Sequence, residues 1–235
     1  MADSSNNQWF GISMVLIGLI VGYGTAMSSD SSPTPSSAPA AAVAPSPTPS
    51  APPAAPTAKE VKPVDLKRDH IRGNRKANIA LIEYSDYECP FCGRHHPTAQ
   101  ALIDANDDVM WVYRHFPLGF HQNATALAEA SECAWEQGGD DAFWKFTDMI
   151  FEKGADASKI TEYGDASGVD GAKVQDCVDA GTYAQYVKDD MAGGSAGGVS
   201  GTPGNIVLNI KTGDSRLVSG AQPLSALQGA VDAIK

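Results

Sequence analysis

The sequence predicts an α/β fold built as a βαβ unit, a helical insert, a β-hairpin and a closing helix. Three observations carry this. Two apolar runs of strand length, Asn78–Ser85 and Val109–Phe116, flank a segment of helical pattern that opens on a proline. Several segments between Asn123 and Ala192 then read as helices. Two further apolar runs lie on either side of the turn Lys211-Thr212-Gly213-Asp214. No internal repeat interrupts the order.

Each element follows from its local pattern. Asn78–Ser85 (NIALIEYS) and Val109–Phe116 (VMWVYRHF) have strand length and β-favouring composition. Pro90–Ala105 begins with proline in the first turn of a helix, where its missing N–H costs nothing. Two strands joined by a helix run parallel. Asn123–Gln137 is expected to carry Glu129, Glu132 and Glu136 on one outward face. Asp141–Lys153 places Phe143, Phe146 and Ile150 inward and stops at Gly154. Ser158–Tyr163, Asp170–Asp179 and Tyr183–Ala192 complete the insert, about residues 119–197. A glycine-rich stretch, Gly193–Gly204, ends it as a loop. Asn205–Ile210 and Arg216–Ser219 form an antiparallel hairpin. Leu224, Leu227, Val231 and Ile234 mark one stripe of the last helix.

The residues before this domain differ in composition. An uncharged run over 9–27 (WFGISMVLIGLIVGYGTAM) follows a short tail, residues 1–8. As a helix it spans roughly 28 Å, close to a hydrocarbon core, with Trp9 and Tyr23 near its ends. A cleaved signal peptide has a basic start and a small-residue cleavage site. Neither is present, so the segment reads as an uncleaved transmembrane anchor. Residues 28–58 are a spacer in which 31–57 hold only Ser, Pro, Thr, Ala and Val. Such a chain cannot build a core and extends up to roughly 80 Å. The globular domain is expected over 59–235. The net charge of −11, without a long basic run, excludes a nucleic-acid binder.

The chemistry concentrates at Cys89-Pro90-Phe91-Cys92, where a strand meets a helix. Cys89 falls at the helix N-terminus, where free N–H groups and the helix dipole stabilise a thiolate, and Cys92 lies one turn further in. A zinc site would need His95 and His96 as the other ligands, crowding all four into two turns of one helix. Haem attachment requires His where this chain has Gly93. The glycines before Pro203 lack the G-K-[ST] of a phosphate loop.

Taken with YRHFPL (113–118), ECAWEQGGDDAFW (132–144) and GVSGTPGNIVLN (198–209), the segment EYSDYECPFC (83–92) resembles the DsbA-like thiol:disulfide oxidoreductases. The resemblance covers about residues 64–235. It implies a thioredoxin fold with an inserted helical domain, no cofactor, Cys89 as the attacking and attacked sulfur, Cys92 as the resolving one, and Thr202-Pro203 as a cis-proline loop. The best-known members carry Pro-His between the cysteines. Here the pair is Pro90-Phe91, which removes a cation from beside the thiolate.

Two further expectations concern single residues. Glu83 shares strand parity with Ile79 and Leu81 and so points inward; the resemblance implies that it passes protons near Cys92. Cys133 and Cys177 lie on inward stripes of two helices of the insert, which in an oxidising compartment predicts a structural Cys133–Cys177 disulfide rather than two buried thiols.

The expected function is dithiol–disulfide exchange, with the enzyme as disulfide donor to reduced or misoxidised extracytoplasmic proteins. The resemblance implies a quinone-coupled membrane thiol oxidase as regenerating partner. An oxidising compartment places the domain on the extracytoplasmic face of a membrane, held by the N-terminal helix. A reductase or isomerase using the same cysteines, and a non-catalytic tethered thiol metal-binding or adhesion module, are the alternatives.

Overall fold

The apolar runs pair as expected. In the computed structural model, which describes residues 55–235, β2 (Ile79–Ser85) and β3 (Val109–His115) run parallel, joined by α1 (Pro90–Asp104). β4 (Gly204–Asn209) pairs antiparallel with β2, and β5 (Ser215–Ser219) with β4. A fifth strand, β1 (His70–Gly73), pairs antiparallel with β3, so the sheet order is β1-β3-β2-β4-β5. β1 was not expected. Its four residues carry no apolar alternation, and its pairing partner lies about forty residues downstream. The anchor expected over 9–27, the tail 1–8 and the spacer up to residue 54 lie outside the described residues. The last spacer residues belong to the domain: Ala58 is buried, and Leu217 N–H donates to Pro56 O at 2.7 Å.

Both faces of the sheet are covered, which is why β2 and β3 are buried throughout rather than alternating. On one face Ile79, Leu81, Trp111, Tyr113 and Val207 pack with α1, with α6 (Leu224–Asp232) and with the helical insert. The opposite face, with Ala80, Ile82, Tyr84, Val112 and Ile206, packs against the segment around Ala58 and against residues such as Phe116 and Val199. In α6 Leu227 and Val231 are buried, as is Ile234 just beyond its end, while Leu224 is exposed.

The insert comprises α2 (Ala124–Lys153), a single 3-10 turn (Ala157–Lys159), α3 (Ile160–Ser167), α4 (Gly171–Asp179) and α5 (Ala184–Gly197). The two helices expected over 123–137 and 141–153 join as α2 across Gly139, whose φ of 65° and ψ of −158° break the regular helix. The glycine-rich stretch is not wholly a loop, because α5 continues to Gly197. A Cβ on Gly194 would lie 2.7 Å from Tyr84 Cδ1, and one on Gly197 2.7 Å from Ile206 Cδ1. These glycines let a helix lie directly on the sheet. Cys133 and Cys177 form a disulfide that ties α2 to α4, with Cα atoms 6.1 Å apart.

Glu132 overturns the expected outward face of α2: it is fully buried. Its Oε1 hydrogen-bonds His70 Nε2 at 2.6 Å and His115 Nε2 at 2.8 Å, and its Oε2 accepts from Arg68. Burial alone would push this carboxyl up. The charge of His70 and the hydrogen bonds of both imidazoles outweigh that and hold it well below the usual carboxylate range. A helical wheel groups Glu132 with Glu129 and Glu136; its three partners come from before β1, from β1 and from β3.

The Cys133–Cys177 bond spans a sequence separation of 44, for which loop-closure entropy gives roughly 4 kcal/mol as an upper figure. Replacing both residues by Ala is expected to lower unfolding stability by a large part of that, read by urea denaturation. A loss below about 1 kcal/mol would show that the bond does not stabilise the domain.

Candidate functional site

β2 ends at Ser85, and the turn Asp86–Glu88 delivers Cys89 to the N-cap of α1. The Cys89 backbone carbonyl accepts from the N–H groups of Cys92 (3.0 Å) and Gly93 (3.2 Å). Its own N–H donates to Asp86 O at 3.1 Å. No side chain caps the helix, and none of its first-turn residues is acidic, so nothing within α1 offsets the positive end that faces the sulfur. Pro90 and Phe91 are exposed, Phe91 by 51 %, while Cys92 is fully buried. Both cysteines are free thiols.

The Thr202–Pro203 peptide is cis, and its loop lies beside the cysteine: Cys89 Sγ approaches Thr202 O at 3.4 Å. The site thus joins the end of β2, the start of α1 and the loop before β4, far apart in sequence.

The two sulfurs have opposite proton affinities. The Cys92 thiol donates to Cys89, which is the largest influence. With Thr202 and the backbone N–H groups of Cys92 and Phe91, it outweighs desolvation and lowers Cys89 from 9.0 to about 5. Burial, then the Cys89 sulfur, then the charge of Glu83 push Cys92 strongly upward. One sulfur is a ready thiolate, and the other holds its proton.

Glu83 lies beneath this pair, fully buried, opposite Tyr113 on β3 and Asn205 on β4. It is not wholly unpartnered, since Trp111 Nε1 donates to Oε2 at 3.0 Å. Oε1 has no protein partner. His95 and His96, the ligands a zinc reading required, are engaged elsewhere. His95 Nε2 is 2.9 Å from Asn205 Oδ1, and His96 Nε2 is 2.7 Å from Asp148 Oδ1. Among the described residues His70, His115 and Glu132 bring ligand atoms within 4.8 Å of one another. There the carboxylate already bridges both imidazoles and faces Arg68, so the cluster is a hydrogen-bonded clamp; a dication would sit beside a guanidinium.

The family model described as Thioredoxin matches residues 65–233. Among solved structures, DsbA2 of Pseudomonas aeruginosa is 30 % identical with a TM-score of 0.63, the match covering 71 % of this chain and 94 % of that one. The chain belongs to the thioredoxin family, in its DsbA-like branch. A thioredoxin-like oxidoreductase from Silicibacter pomeroyi is 28 % identical with a TM-score of 0.61, over 70 % of this chain and 91 % of that one. The curated relative Na(+)/H(+) antiporter NhaA 1 of Salinispora arenicola is 32 % identical over 172 residues, 72 % of this chain. The chain spans about a quarter of that relative's length. No helix among the described residues is long and apolar enough to cross a membrane.

Sequence reasoning missed Asp86 and His121 in this DsbA-like site. The buried Asp86 carboxylate accepts from Leu118 N–H at 2.7 Å and hydrogen-bonds His121 Nδ1 at 2.7 Å. Both residues lie in turns, where no periodicity marks them. Glu88 caps the insert from the same turn, accepting from Asn123 N–H at 2.7 Å and Ala124 N–H at 3.1 Å.

In the reduced protein, absorbance at 240 nm is expected to give a thiolate midpoint near pH 5, with iodoacetamide at pH 6 labelling Cys89 and sparing Cys92. The stability consequence has a definite sign. Between about pH 5 and 9 the folded chain carries the thiolate, whereas the unfolded chain binds a proton. The reduced form therefore gains stability relative to the oxidised form as pH rises through this window and loses it as pH falls to 5. Parallel denaturation curves of the two forms across pH 5–9 would contradict this.

Proposed function

We propose that the domain catalyses dithiol–disulfide exchange and acts mainly as a disulfide donor. The observation that carries this is the placement of Cys89 at the N-cap of α1 beside the cis Thr202–Pro203 loop, with Cys92 buried one turn further in. A substrate thiolate attacks Cys89 Sγ, the Cys89–Cys92 bond breaks, and Cys92 leaves with the electron pair and takes a proton. The second substrate thiolate attacks its own sulfur in the mixed disulfide, and Cys89 leaves as thiolate. A low-affinity thiolate is the better leaving group and stabilises the reduced enzyme, so electrons flow from substrate to enzyme.

Thr202 and Pro203 are read as the substrate-binding edge. The Thr202 carbonyl beside Cys89 offers an extended chain a backbone partner next to the reacting sulfur. Glu83 is read as the proton relay to Cys92, supported by its burial and by its influence on that thiol. Its replacement by Gln is expected to slow exchange about tenfold or more and to alter the pH–rate profile. Identical profiles from pH 5 to 8 would remove the role.

The substrates are read as reduced or misoxidised extracytoplasmic proteins. The regenerating partner is read as a quinone-coupled membrane thiol oxidase, with residues 9–27 as membrane anchor and 28–54 as tether. The Cys133–Cys177 disulfide supports an oxidising compartment. The relative named as an antiporter shares only about a quarter of its length with this chain.

Oxidative refolding of a reduced substrate and reduction of insulin, each with the wild type and Cys89→Ser, test the reading. Faster refolding that Cys89→Ser abolishes is expected. Activity confined to insulin reduction would reverse the direction, and no rate in either assay would leave a binding module.

A further inference from the structure

The Pro90-Phe91 pair leaves no cation between the cysteines, and the basic side chains that follow in α1 are otherwise placed. Arg94 is exposed and lies over the Phe91 ring at 4.5 Å, while His95 and His96 are held by Asn205 and Asp148. An imidazole reaches the turn before Cys89 from another element. His121, in the segment between β3 and α2, hydrogen-bonds Asp86 Oδ2 through Nδ1 at 2.7 Å. The same oxygen accepts Leu118 N–H, and His121 N–H donates to Leu118 O at 2.9 Å, so this segment is wound onto one carboxylate.

Asp86 is also part of the turn that carries the sulfur. Its Oδ1 accepts Glu88 N–H at 2.8 Å, and its backbone carbonyl accepts Cys89 N–H. Its side chain is fully buried, whereas that of His121 is 18 % exposed and so has access to solvent protons. The charged or titratable groups that bear on His121 are Asp86 and Glu88, both acidic, and Cys89. Against a desolvation that lowers it, the hydrogen bond and charge of Asp86, then Glu88, then Cys89 raise its proton affinity above the ordinary value.

A buried carboxylate three residues before Cys89 would, without a counter-charge, oppose the thiolate. A protonated His121 cancels that opposition. The Cys89 charge exists only in the reduced enzyme, and linkage requires that whatever His121 does for the thiolate, the thiolate does for the proton on His121.

Resting on the exchange reading above, we propose that the Asp86–His121 pair is the charge partner of Cys89, and that His121 gains a proton when the Cys89–Cys92 disulfide is reduced and loses it when the disulfide re-forms. The balance closes on a dithiol substrate. Its oxidation to a disulfide releases two electrons and two protons. The electrons break the Cys89–Cys92 bond, one proton goes to Cys92, the other goes to His121, and Cys89 remains a thiolate. His121 is a positioning residue in this scheme; it does not touch the substrate.

Nuclear magnetic resonance titration of the His121 ring in the full chain, oxidised and reduced, from pH 5 to 9 tests this without any mutation. The expected result is a higher midpoint in the reduced form. Equal midpoints would overturn the proposal. In His121→Gln the Cys89 thiolate midpoint at 240 nm is expected to rise by about one pH unit, a tenfold loss of thiolate below the midpoint, with His121→Lys restoring part of it. An unchanged midpoint in a folded His121→Gln protein would also reject it. Exchange activity lost in Cys89→Ser, together with equal His121 midpoints, would reject this proposal and leave the exchange reading standing.

Discussion

Two sulfurs one helical turn apart must differ widely in proton affinity while remaining close enough to bond. Cys89 at the N-cap of α1 meets this through the helix dipole and the Cys92 thiol. Cys92, inside the first turn, is shut from water and has Glu83 beneath it. The sheet makes this possible. β2 is a central strand with both faces covered, so its C-terminal end is a rigid platform from which the turn 86–88 projects the cysteine.

The same platform carries several buried carboxylates, each held by more than one donor. Glu132 joins Arg68, His70 and His115; Asp69 binds Arg114 through both oxygens at 3.0 and 2.9 Å; Asp190 takes Lys62 Nζ and His115 N–H. A buried charge with one partner removed is strongly destabilising. These sites therefore fix the positions of β1, β3 and the insert relative to one another more by geometry than by net energy. The half-buried Glu88, which holds the start of α2, and the buried Asp86, which holds the segment before it, extend this network to the turn before Cys89. The helical insert is consequently anchored to the turn that presents Cys89.

Much of the fold was legible because its signals are local. The apolar runs at 79–85 and 109–115, the proline opening α1 and the glycine turn of the hairpin each declare an element within a few residues. Cys133 and Cys177 were legible as a pair because two helical stripes carried them inward. β1 was not, because His70 and Arg72 are strand residues only through β3 and α2. Glu132 was misplaced because a helical wheel cannot tell a solvated acid from one that receives two imidazoles. The Gly193–Gly197 segment looked like a loop because low helix propensity is outweighed only by the close approach to Tyr84 and Ile206.

By itself the sequence determined the order of the main elements, the C-x-x-C pair Cys89 and Cys92, the inward Glu83 and the family resemblance, since all of these are written in short spacings and contiguous motifs. The tertiary structure alone decided which groups surround the sulfurs. Thr202 approaches Cys89 from 113 residues away, and His121 reaches Asp86 across 35. Proton affinities depend on distances of a few ångströms between such groups, and no pattern along the chain encodes a distance that only the folded sheet and its loops create.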